Sequence, residues 1–104
     1  MNIITEKSPT ECNDMTQVRS GVDAIDAALV QLLGQRFRYM EAAARIKDCR
    51  DQVRDESRKA EVIANVIDQA RLNGVPVAMA AALWQDLVEA SIAHELAEWN
   101  RIHS

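Results

Sequence analysis

The stretch from Met15 to Lys47 contains no proline and no run of turn residues, and this limits what the chain can fold into. Its apolar positions Val18, Val22, Ile25, Leu29, Leu32 and Met40 advance in steps of three and four, the period of one helix face. At roughly 1.5 Å per residue the predicted helix is about 50 Å long. A compact domain of this size has a radius of gyration of about 13 Å. Such a helix overhangs a monomer, so its apolar seam needs a partner. Gly34 sits inside it at a cost of about 1 kcal/mol, and its missing side chain leaves room for a neighbour or ligand to approach.

Three cations punctuate this helix. Arg36 falls where the seam should continue, between Leu32 and Met40. Lys47 follows Arg36 by eleven residues, close to three full turns, so the two share a face. Positive charge on a buried seam is costly unless something anionic meets it. One reading is a solvated face, or long side chains snorkelling from the seam. The other is a clamp for a dianion, with an arginine fork matching a carboxylate and a lysine acting as a point charge. Arg19 lies about 25 Å from Arg36 along the helix, too far for a small ligand to bridge. If all three cations serve one site, Arg19 must come from a second, antiparallel copy. Both arguments lead to an intertwined homodimer.

The remaining chain reads as helices with short connections. Residues 1–13 form a polar, mobile arm, and residues 14–104 one helical domain. Asp14 followed by Gln17 resembles a capping box. Asp48, Cys49, Arg50, Asp51 and Gln52 show no apolar period and are read as a polar loop. Asp55 can cap a second helix carrying Ala60, Ile63, Val66, Ile67 and Ala70 on its inner face, and Asn73-Gly74 ends it. Pro76 fits the first turn of a third helix. Its inner stripe is Ala80, Trp84, Leu87, Val88, Ser91, Glu95, Trp99 and Ile102. The expected class is all-α, with three helices: long, short and medium.

Charge and composition exclude several functions. Twelve basic residues against sixteen acidic give a formal net charge of −4, which argues against binding to nucleic acid or an anionic membrane. No apolar run approaches the ~20 residues of a membrane span. The opening MNIITEKSPTEC lacks the basic and apolar regions of a signal peptide. Cys12 and Cys49 have neither CxxC spacing nor accompanying histidines, so free thiols in a reducing cytoplasm are expected, and no metal site. No Ser-His-Asp or Cys-His set and no glycine-rich phosphate loop is visible, so the chain lacks the parts for covalent catalysis. Glu95, among apolar neighbours, is either paired to a cation on the first helix or held neutral by desolvation, able then to donate a hydrogen bond. Arg58 and Lys59, beside Asp55 and Glu56, read by composition as an ordinary solvated helix start. His94 is expected at the surface or in an interface.

The stretch VRSGVDAIDAALVQLLGQRFRYMEAAARIK resembles the first helix of the all-helical (type II) chorismate mutases: an Arg, an xIDxxxxxLLxxR core, and a Lys about eleven residues on. VRDESRKAEV is similar to their short second helix and LWQDLVEASIAHEL to their third, so the likeness runs from about Thr16 to Trp99. The resemblance implies a domain-swapped homodimer with two shared sites and no cofactor. It makes Arg36 and Lys47 the groups that hold carboxylates and the reacting ether oxygen, and Glu95 the third catalytic residue. Arg19 would enter from the partner, and Asp55, Arg58, Lys59 and Ser91 would line the rest of the pocket. The implied reaction is the Claisen rearrangement of chorismate, a dicarboxylate, to prephenate, in which positioning and fixed cations stabilise charge growing on the ether oxygen. Two positions depart from the family pattern. Glu95 stands where many members have Gln, which implies activity falling as pH rises and Glu95 ionises. Lys59 stands where some mutases have Glu. A sister group, the isochorismate pyruvate lyases of salicylate synthesis, is similar at SPTEC, QLLGQR and Tyr39. The mutase is the favoured expectation, partly on the VRDxxR segment. The lyase is the alternative, and a non-catalytic helical dimerisation module the alternative of another class.

Overall fold

The computed structural model describes residues 7–104, and the protein is all-α. Met1–Glu6, the start of the expected arm, lie outside the described residues. Three helices follow one another: α1 Met15–Ile46, α2 Glu56–Asn73 and α3 Val77–Ile102. The chain divides into two compact units, Met1–Arg36 and Phe37–Ser104.

In the first unit the arm is not featureless. Pro9–Glu11 form a single 3-10 turn, closed by the Ser8 backbone N–H (3.0 Å) and hydroxyl (2.7 Å), both donating to the Glu11 carboxylate. The Asp14 carboxylate then accepts from the Gln17 backbone N–H at 2.8 Å, satisfying one orphan donor of the helix start. The Gln17 side chain reaches back to the N–H of Asn13 at 2.7 Å, one residue earlier than a capping box would have it. Along α1, Val18, Val22, Leu29 and Leu32 are exposed. Among the described residues a Cβ added at Gly34 would meet nothing within 4 Å, so none of them requires a glycine there.

The second unit holds the core: Ala44, Val53, Ala70, Ala80 and Val88 are buried, and so are the polar Ser91 and Glu95. α2 packs on α3. Asp55 caps α2, accepting from the Arg58 N–H at 2.9 Å. Gly74 ends it in the left-handed conformation (φ 68°), where its own N–H bonds the Ala70 carbonyl. Pro76 is the N-cap of α3 rather than its first-turn residue.

Three details correct the sequence reading. The connection after α1 is not wholly polar: Arg50–Gln52 form a 3-10 turn that carries Val53 into the core. Ala60 faces solvent, whereas Lys59 is half-buried, so the inner face of α2 begins one residue earlier than its apolar pattern suggests. Ile102 is exposed, because the stripe of α3 leaves the core at the end of the helix.

Candidate active site

The last part of α1 and the length of α3 are joined by polar contacts that cross the core of the second unit. The Lys47 ammonium donates to the Glu95 carboxylate at 2.7 Å. The Glu95 side chain is only 6% exposed and that of Lys47 29%. Of the two alternatives for Glu95, the structure therefore shows the pair. A charge this deep is tolerable only because its counter-charge is in direct contact. One turn earlier on α3, the buried Ser91 hydroxyl donates to the Leu87 carbonyl at 2.7 Å. One turn later, the Trp99 indole N–H donates to the backbone carbonyl of Lys47 at 3.1 Å. Ser91, Glu95 and Trp99 thus form a polar ladder with a four-residue step, aligned along one face of α3. His94, on the neighbouring face, bonds Glu41 at 2.7 Å and meets Phe37 edge-on with ring centroids 4.9 Å apart. It serves as an interhelical contact.

A second ionic group ties the start of α2 to α3. Glu89 accepts from Arg54 at 2.7 and 3.1 Å and from Lys59 at 2.7 Å. The hydrogen bonds from Arg54, then that from Lys59, hold the Glu89 carboxyl well below the usual range, at about 2. The Lys59 side chain is largely buried, in contrast to the solvated position its neighbours in sequence suggested. Arg58 does remain exposed and pairs with Glu61 on its own helix. Asp55 is committed to its cap.

The structure therefore brings Lys47, Glu95 and Ser91 together, and draws Lys59 to α3 through Glu89. Arg19 and Arg36 lie on α1 in the first unit, Arg19 exposed and Arg36 half-buried, about 25 Å apart along the axis. Sequence reasoning missed Glu89, Arg54 and the indole of Trp99. Arg54 and Glu89 are 35 residues apart in sequence, and no local pattern shows that they meet. An open cavity of about 610 Å³ lies on another flank of α3, lined in part by Arg50, Val53, Arg54, Glu89, Ile92 and Leu96. Neither Lys47 nor Glu95 lines it.

Over residues 18–96 the sequence matches the family described as chorismate mutase type II. The chain belongs to this family. A curated relative, an isochorismate pyruvate lyase of Pseudomonas aeruginosa, is 27% identical over 95 residues, covering 91% of this chain and 94% of the relative. Membership in the chorismate mutase type II family supports an enzyme of this type. The matched region contains Arg19, Arg36, Lys47, Ser91 and Glu95 and stops short of Trp99. Among the described residues no helix is long and apolar enough to cross a membrane.

Proposed function

We propose that the protein is a chorismate mutase working as an intertwined homodimer, with the dicarboxylate held by Arg36 and Lys47 of one copy and Arg19 of the other. The observation that carries this reading is the Lys47–Glu95 pair: a half-buried ammonium held against a nearly dry carboxylate beside Ser91. The half-exposed seam of α1 supports the second copy, since apolar side chains at Val22 and Leu29 gain about 25 cal/mol per Å² when covered. The rearrangement is pericyclic, so these residues transfer no group. Arg19 and Arg36 fix the two carboxylates, selecting the compact substrate geometry from which the reaction proceeds. Lys47 faces the ether oxygen as the C–O bond breaks and negative charge develops on it. A fixed cation there stabilises the transition state more than the ground state. The Glu95 carboxylate competes with that oxygen for the same ammonium. Asp55, Arg58, Lys59 and Ser91 complete the pocket in this reading.

The likeness to the lyase favours a second reading: elimination of pyruvate from isochorismate in the same cationic cage. Incubation with each substrate separates the two. Prephenate from chorismate supports the mutase, and salicylate with pyruvate from isochorismate the lyase. Turnover of neither, with no thermal stabilisation by a dicarboxylate analogue, overturns both, because a ligand that binds the native state must raise its stability.

A further inference from the structure

We propose that Trp99 is a positioning residue for Lys47, an assignment that deepens the reading of Lys47 as the cation facing the reacting oxygen. Lys47 is the residue at which α1 stops. Its backbone N–H still bonds the Ala43 carbonyl at 2.9 Å, but its own carbonyl is among the last of the helix and has no intrahelical donor. The residues that follow, Asp48 and Cys49, are exposed connection. A side chain at a fraying helix end is a poor place for a catalytic cation. Trp99 removes that defect by supplying the missing donor at 3.1 Å.

The indole is itself held. The His103 imidazole stacks on it with centroids 3.9 Å apart and planes 19° from parallel, and the His103 backbone N–H bonds the Trp99 carbonyl at 3.1 Å. α3 thus grips Lys47 at both ends, the ammonium through Glu95 and the carbonyl, one turn further along, through Trp99. When an anionic substrate takes the ammonium from Glu95, the Trp99 bond still keeps the residue in register with α3. The indole donor therefore acts after substrate has bound, on the placement of the ammonium in the transition state.

Trp99→Phe keeps an aromatic ring against His103 and deletes the donor. Kinetics and exchange of the Lys47 backbone amide test the assignment together. The expected result is a fall in kcat of about ten- to a hundredfold, the scale of a small misplacement of a reacting group. KM should stay within about twofold, because the loss is confined to the transition state. Exchange of the Lys47 amide should rise about tenfold as the end of α1 opens more often. A merely structural role predicts loss of folded protein with kcat per folded molecule unchanged. Unchanged kcat in an active enzyme, or unchanged amide exchange, overturns the assignment. If the wild-type protein turns over neither chorismate nor isochorismate, the functional reading fails, and the amide exchange alone decides whether Trp99 anchors Lys47. Should Trp99→Phe not fold, benzothienylalanine at this position replaces the N–H by sulfur at nearly constant shape, and the same two readouts apply.

Discussion

Removing either partner of the Lys47–Glu95 pair should have unequal consequences, because the two side chains are buried to different degrees. Lys47→Met keeps the length and the apolar stem, and leaves the Trp99 bond to the backbone carbonyl in place. What it strands is the Glu95 carboxylate, whose side chain is 6% exposed. Breaking a buried pair in this way costs about 3–5 kcal/mol. The Lys47 side of the pair is open to water, which relaxes the stranded charge and sets the expectation at the lower end, about 3 kcal/mol. Glu95→Gln strands only the ammonium, which can turn toward solvent and still donate to the amide oxygen. Its cost should be about 1 kcal/mol or less. With a urea m value of about 1.5 kcal/mol/M, the first variant moves the unfolding midpoint by about 2 M and the second by less than about 0.7 M. Both curves must be taken at one protomer concentration, since a dimer gains stability by mass action. Equal costs for the two variants would refute the reasoning.

Three further outcomes follow from the geometry. Val22→Glu or Leu29→Glu places charge on a seam where these residues are 52% and 50% exposed, so neither should unfold α1 locally, yet each should convert the proposed dimer to monomer in sedimentation. The carboxyl of Glu89 is lowered from 4.5 to about 2 by Arg54 and Lys59, so its contribution is present above the unfolded value and lost as pH falls from 4.5 toward 2. Glu89→Gln should flatten acid unfolding across that window, measured by circular dichroism. Gly74→Ala should cost about 1 kcal/mol in urea unfolding, because the position is held at φ 68°.

The long helix, its Asp14 start, the Asp55 cap and the Gly74 stop were all legible, because each rests on residues within four positions of one another. What escaped the sequence is what joins residues far apart. Lys59 looked solvated because its neighbours are charged, but it is buried through Glu89, thirty positions away. Val53 is a single apolar residue in a polar stretch, and one residue has no period. Trp99 and Lys47 are separated by 52 positions, and nothing local to either predicts that an indole completes a helix end.

The half-buried Lys47 ammonium explains why Glu95 can be a carboxylate at all. An amide at this position would leave the half-buried Lys47 ammonium with no counter-charge until an anion arrives, and the folded protein would carry that small cost, about 1 kcal/mol or less, when empty. A carboxylate removes the cost from the empty state but must be displaced before an anionic ligand can claim the ammonium. Stability without ligand and affinity for it are therefore opposed at one side chain. Glu95→Gln should bind a dicarboxylate transition-state analogue more tightly while being the less stable protein alone. If Glu95→Gln lost both stability and analogue affinity, the carboxylate would be serving the bound state as well, and the opposition would not exist.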